Sequence, residues 1–232
     1  MRQVIVAISL ALVASGTAFA DEFSGKASFG YLGTSGNAES LSVNAGVELD
    51  WTYDRWTHQF TAGALGSQDD VDTTAEAYTV GWQSNWAIND YSYLYGHLNG
   101  IKDKFAGYDR QITEAIGYGR NLIKNDTTLW TAEIGAGARQ SVLRGGSSIS
   151  ETIVQAKTDY TYSFSETNEF FANASVESGD ENTLINAGVG IKARLVGDLA
   201  LVASYKIRSN SDVPAGSEKT DTFTAISLEY SF

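Results

Sequence analysis

From Leu41 to Tyr53 every odd position is apolar or aromatic: Leu41, Val43, Ala45, Val47, Leu49, Trp51 and Tyr53. Every even position is polar, charged or glycine: Ser42, Asn44, Gly46, Glu48, Asp50 and Thr52. A helix would scatter that pattern around its axis, whereas a strand, whose side chains alternate between two faces, keeps it intact. The 13-residue run is longer than an ordinary globular strand and suits one that crosses a bilayer at a tilt with its ends projecting.

The alternation recurs along the chain, for example at Tyr78, Val80, Trp82 and Trp86, at Ile185, Ala187, Val189 and Ile191, and at Ile226, Leu228, Tyr230 and Phe232. It predicts about twelve strands, over 23–33, 39–53, 56–67, 75–88, 91–102, 109–123, 127–141, 151–164, 168–178, 183–196, 199–209 and 221–232. Facing stays undecided in two of them. Over 91–102, Tyr93 and Tyr95 compete with Leu94 and Leu98 for the apolar face; over 109–123, Ile112 and Ile116 share their face with Glu114 and Arg120.

Turn formers punctuate the strands. Asp54-Arg55, Asn89-Asp90, Lys124-Asn125-Asp126, Ser165-Glu166-Thr167 and Gly197-Asp198 predict tight turns. Longer polar connections fall between them, at 34–38, 68–74, 103–108, 142–150, 179–182 and 210–220. Short and long alternate throughout. That is the asymmetry of bacterial outer-membrane barrels, with short periplasmic turns and longer outside loops, and an even strand count then leaves both chain ends in the periplasm.

Alternation does not say which face is inside. The polar face mixes both charge signs with glycine and small polar residues, which suits a lumen, and aromatics crowd the strand ends beside the turns (Trp51, Tyr53, Trp56, Trp86, Tyr91, Tyr162, Phe164), where amphipathic rings suit the lipid headgroup level. In hydrocarbon only a closed barrel satisfies every backbone donor and acceptor of such strands. The predicted fold is therefore all-β, a transmembrane antiparallel up-and-down β-barrel in the outer membrane of a Gram-negative bacterium.

The first twenty residues read as a cleavable signal peptide: Met1-Arg2 supplies a positive start, Val4–Ala14 an apolar run, and Ala18-Phe19-Ala20 the A-x-A cleavage pattern. The predicted domains are thus a signal peptide over 1–20 and an outer-membrane β-barrel over 21–232. Without Arg2 the 16 basic residues fall to 15 against 28 acidic ones, a net charge of −13, which disfavours nucleic acid or anionic lipid as a partner. There is no cysteine, so the oxidising periplasm imposes no disulfide framework, and the lone proline, Pro214, fits a chain made of ladders to which proline cannot donate.

The segment from Gly30 to Ser40, with Thr34-Ser35-Gly36-Asn37 at its centre, resembles the signature near the mature N-terminus of a family of salt-induced outer membrane proteins, domain-of-unknown-function family 481. The similarity continues through the alternating strands to the terminal phenylalanine. It implies an outer-membrane barrel whose expression responds to salt, and no substrate or catalytic residues. Read from the residues alone, Thr34–Asn37 is a hairpin turn in which Gly36 or Asn37 takes a positive φ.

The inward face carries the acids Glu48, Asp50, Glu133, Asp159 and Glu229 and the bases Arg139, Lys157, Lys192, Arg194, Lys206 and Arg208. Such charges either line a water path or pair to plug it. Glu229 is the nearest acid expected for the late-strand bases, with Glu48 and Asp50 reached across the barrel closure. The small residues of the same face (Gly46, Gly81, Gly135, Gly137, Gly188, Gly190, Ser204, Ser227) leave room and tilt the expectation to a narrow polar channel for ions or a small solute, serving the envelope under salt or osmotic stress. The alternatives are a plugged structural or interaction barrel and, less favoured, an outer-membrane hydrolase.

Phe232 ends an alternating strand that resembles the terminal signal read by the barrel-assembly machinery. Outer-membrane lipid and lipopolysaccharide are the expected surroundings. Catalysis lacks a constellation: His58 and His97 fall on different parts of the predicted barrel, and nothing in the spacing pairs either with a nucleophile. No cofactor is expected. Asp69, Asp70 and Asp72 offer weak carboxylate ligands to a divalent cation, or simply a solvated loop.

Overall fold

A computed structural model describes residues 22–34, 40–69 and 72–232. The signal-peptide expectation over 1–20 and the positive-φ expectation at Gly36 or Asn37 lie outside the described residues.

The chain forms β1 (Glu22–Thr34), β2 (Ser40–Tyr53), β3 (Trp56–Asp69), β4 (Asp72–Ala87), β5 (Ser92–Asp103), β6 (Tyr108–Lys124), β7 (Thr128–Leu143), β8 (Ser148–Ser163), β9 (Asn168–Ser178), β10 (Thr183–Val196), β11 (Leu199–Asn210) and β12 (Thr220–Ser231). Each strand pairs antiparallel with its sequence neighbours, and β1 pairs with β12 to close a twelve-stranded barrel. Closure leaves no edge strand, as strands in hydrocarbon require. The closing seam is short: four register pairs join Lys26–Phe29 to Leu228–Ser231, extended by two bonds between the main chains of Gly25 and Phe232 at 2.8 and 2.9 Å.

All connections at one end, where β1 begins and β12 ends, are tight turns. Asn89 Oδ1 accepts the N–H groups of Tyr91 (3.0 Å) and Ser92 (2.9 Å), and Asn125 Oδ1 those of Thr127 (3.1 Å) and Thr128 (2.8 Å). Asp54 (φ 52°) and Gly197 (φ 55°) take the left-handed conformation that two-residue turns require. The other end carries the loops, two of them shorter than the sequence reading has them: the connection expected over 142–150 narrows to 144–147, because Ser148–Glu151 join the ladder with Arg139–Val142. The connection expected over 68–74 shrinks to residues 70–71, because Gln68, Asp69, Asp72 and Thr73 continue the ladder, past a bulge at Ser67/Gln68, to an Asp69↔Asp72 pair. Polar residues at a strand end that projects beyond an apolar zone read as loop by composition alone.

The register settles facing throughout. Val43, Val47, Leu49, Ile185, Val189, Ile191, Ile226 and Leu228 point outward; Glu48, Asp50, Lys192 and Glu229 point inward. On β5, Tyr93, Tyr95 and His97 face in, and Leu94 and Leu98 face out. On β6, Gln111, Thr113 and Ala115 face in, and Ile112, Glu114, Ile116 and Arg120 share the outer face. The barrel is therefore apolar outside and polar inside, the reverse of a soluble barrel. Near the turn end the outer rings make a girdle: His58 lies between Trp51 (5.2 Å) and Trp56 (5.9 Å), Trp130 meets Tyr160 at 6.3 Å, and Phe232 meets Tyr230 and Phe23 at 6.5 Å.

Candidate functional site

The lumen divides along the barrel axis into a dry part and a wet part. At the loop end it is filled by a network centred on Arg139, which is fully buried. Period-two facing brings Arg139 of β7 beside Glu151 of β8, its register partner, with Glu177 of β9 one strand further. The guanidinium donates to Glu151 Oε1 through Nε (3.1 Å) and Nη2 (2.8 Å), to Glu177 Oε2 (3.5 Å) and carbonyl (3.4 Å), and to the carbonyl of Asn182. Glu151 Oε2 in turn accepts the N–H groups of Glu181 (3.0 Å) and Asn182 (3.2 Å), and Thr113 Oγ1 donates to Glu177 at 3.1 Å. A buried arginine is tolerable only when its donors are met by charge and geometry together, and here they are.

Two contacts then span the mouth. Arg208 of β11 donates to Asp103 of β5 at 3.1 Å, although the two strands stand on opposite sides of the twelve-strand ring. The 211–219 loop crosses the same diameter. Tyr108 Oη donates to the carbonyl of Asp212 at 3.0 Å, and a Cβ added to Gly107 would sit 3.1 Å from Pro214 Cδ, so this glycine lets the loop lie down on the β5–β6 connection. Asn182 ties the loop from below, accepting from Asp212 N (3.2 Å) and donating to Asn210 (2.8 Å).

Below this closure the wall of β4 to β8 is packed. Glu133 accepts from Gln83 (2.7 Å) and Tyr93 (2.8 Å) rather than from a base. The inward glycines expected to leave room are largely occupied. A Cβ at Gly135 would meet Tyr95 Oη at 2.4 Å and, on β10, one at Gly190 the Phe171 ring at 2.2 Å; Gly119, outside that expectation, lies likewise under the Tyr93 ring, 2.2 Å from an added Cβ. Aromatic side chains lie over glycines of neighbouring strands, which covers exposed backbone and fills space at once. His97 is inward in this wall with a buried Nδ1 that has no hydrogen-bond partner among the described residues, while His58 is on the outer face bonded to Ser84 at 2.8 Å; they do not share a site.

The opposite wall, from β8 round through β12 to β4, encloses a cavity of about 660 Å³. Its lining climbs from Lys26, Lys192 and Glu229 near the turn end to Arg208 and Phe223 beneath the closure. Exposure falls along that path: the side chain of Lys26 is 46% exposed, Lys192 25% and Arg208 14%. The cavity is wet from the turn end and dry at the loop end. Most of its charges pair with a neighbour: Lys192 with Glu229 at 2.6 Å, Lys26 with Glu48 at 2.7 Å, and Lys157 with Asp159 at 3.1 Å. Asp50 accepts from Gln59 at 2.9 Å. Lys206 and Arg194 face the lumen by register and make no ion pair among the described residues.

Two expectations need correction. Glu48 and Asp50 do not reach late-strand bases across the closure, because Lys26 on β1 and Gln59 on β3 are adjacent in the ladder and nearer. Asp103, Glu151, Glu177 and Lys26 were missed as lumen charges, although Glu151 and Lys26 have inward parity within strands that the alternation predicts; Asp103 ends a strand one residue past its predicted limit. Of the acidic trio at 69–72, Asp70 lies outside the described residues, and no group of three or more metal-capable side chains occurs among those described.

Known structures share the architecture. The NanC porin superposes with a TM-score of 0.51 at 8% identity, over 90% of this chain and 98% of that one. An outer membrane channel of Pseudomonas putida F1, from the group COG4313, gives 0.54 at 11% identity over 94% and 99%. At such identities the likeness concerns the fold alone. By sequence, the uncharacterized protein YdiY of Escherichia coli K12 is 27% identical over 210 residues, 90% of this chain and 83% of that protein. A closed ladder with an apolar belt and a polar lumen is an outer-membrane β-barrel, and since residues 27–232 match the family model, the chain belongs to the family described as protein of unknown function, DUF481.

Proposed function

We propose that this barrel is a narrow polar channel for ions or a small hydrophilic solute, held shut at its outer mouth in the conformation described. The observation that carries the reading is the charged cavity of about 660 Å³, wet at the turn end and ending beneath the Asp103–Arg208 pair. In outer-membrane barrels the turn end is periplasmic, so the wet vestibule opens inward and the latch faces the medium. An envelope role under salt or osmotic conditions, which the family resemblance implies, forms part of this proposal. Insertion through the barrel-assembly machinery, with Phe232 as the recognised end, belongs to the same reading.

The test is conductance in planar bilayers. The unaltered chain should conduct little, whereas Asp103→Asn combined with Arg208→Gln should open stable channels. If folded barrels of both kinds stay silent, the channel reading fails. The plugged structural barrel, which the fully buried Arg139 network favours, then replaces it.

A further inference from the structure

Among the described residues, the rim at the loop end carries the acids Asp72, Asp180, Glu181, Asp212 and Glu218, with Lys219 turned onto the carbonyl of Ser211. One arc differs. Lys102 on the outward face of β5 is the register partner of Arg110 on β6 and, on its other side, of Tyr78 on β4. Both cations are exposed, and neither has an ion pair or hydrogen bond among the described residues.

The loop beside them is pinned by the other two cations of the arc. Lys104 pairs with Glu76 at 2.6 Å, where Tyr78 Oη also donates at 3.1 Å. Arg144 donates to the carbonyls of Phe105 (3.3 Å) and Lys104 and lies 5.9 Å from the centre of the Phe105 ring. Glu76, which Lys104 holds, also attracts Lys102, so one carboxylate is shared between two lysines, and Arg110 beside them has no ion pair among the described residues. Like charges directly opposite on adjacent strands repel, a cost that a bridging anion removes.

Height identifies the anion. Lys102 lies ten residues along β5 from Ser92. For a strand tilted by about 40° that is a rise of roughly 25 Å, the thickness of the apolar band of such barrels. The pair therefore sits where the outer-leaflet hydrocarbon gives way to headgroups. A soluble anion approaching from the medium meets the acidic rim first, whereas a lipid reaches the pair sideways along the membrane. Arginine forks onto phosphate oxygens and lysine adds a compact charge. We propose that Lys102 and Arg110, with Lys104 beside them, bind the phosphate of a phosphorylated glycolipid headgroup in the outer leaflet.

The experiment is native mass spectrometry of the full chain in detergent, offered equal amounts of diphosphorylated lipid A and its dephosphorylated form. The unaltered chain should retain the phosphorylated form with a preference of about fivefold or more, the effect of one cation at an anionic surface. Lys102→Gln with Arg110→Gln should abolish the preference, Lys102→Arg should keep it, and an excess of inorganic phosphate should leave the adducts in place. Absence of preference in the unaltered chain overturns the site and requires no variant to fold. So does an undiminished preference in the folded double variant. Displacement by inorganic phosphate would assign the pair to a soluble anion instead. Conductance plays no part in this measurement, so failure of the channel reading leaves it standing.

Discussion

Replacing Arg139 by methionine should be among the most damaging single changes in this barrel. Methionine approximates the length of the stem and packs in an apolar way, but it abandons two carboxylates that are almost completely shielded, with side-chain exposures of 3% for Glu151 and 7% for Glu177. The two are not equally stranded. Glu151 keeps the N–H groups of Glu181 and Asn182 on its second oxygen, whereas Glu177 keeps only Thr113. Glu177 should therefore take up a proton, and neutralising a carboxylic acid of ordinary acidity at pH 7 costs about 4 kcal/mol. That agrees with the roughly 3–5 kcal/mol expected when one partner of a buried pair is removed. The expected loss is then about 3–4 kcal/mol at neutral pH, read as a shifted urea unfolding midpoint in detergent micelles at unchanged slope. Adding Glu177→Gln should restore much of it, since an amide needs no counter-charge, and the deficit of Arg139→Met alone should shrink as pH approaches 4. A loss below about 1 kcal/mol, or a double variant no better than the single one, would refute this division of roles between the two glutamates.

Further outcomes follow from facing and closure. Val189→Arg, on the outer face at 46% exposure, should cost about 2–4 kcal/mol, and Ser204→Arg in the wet cavity much less; the reverse order by urea titration would mean the barrel is inside out. Glu114 faces outward between Leu98 and Ala138, near the middle of the apolar belt and without a partner among the described residues, so Glu114→Leu should stabilise by about 1–2 kcal/mol, and destabilisation would show that the carboxylate has a role in the membrane. Deleting Phe232 removes the backbone bonds to Gly25 at the thinnest seam, and Gly25→Val drives a side chain into the Phe232 ring, 2.5 Å from the position of an added Cβ. Both should lower the fraction that migrates as a compact, heat-modifiable band, and normal yields of that band would remove closure as the role of Phe232.

Much of this architecture is local and hence visible in the order of residues. Strand existence, facing along β2, β4, β10 and β12, and turn positions follow from a period of two and from residues such as Asn89, Asn125 and Gly197, which act on their own backbone. Where local signals conflict, as over β5 and β6, the neighbouring strands decide. Tyr93 and Tyr95 turn inward because Gly117, Gly119 and Gly135 on β6 and β7 leave hollows for their rings, and Leu94 and Leu98 then take the outer face.

The alternating pattern, taken with the short and long connections and the aromatic strand ends, pointed to a closed antiparallel barrel with charges on one face, since an open edge is untenable in lipid. Only the tertiary structure decided which charges meet. Arg208 and Asp103 are 105 residues apart and on opposite walls, and the loop carrying Pro214 settles on Gly107 because the ring brings β11–β12 across from β5–β6. Facing is a property of each strand, but distance across a lumen depends on strand number, stagger and tilt together, and no strand's own sequence contains those.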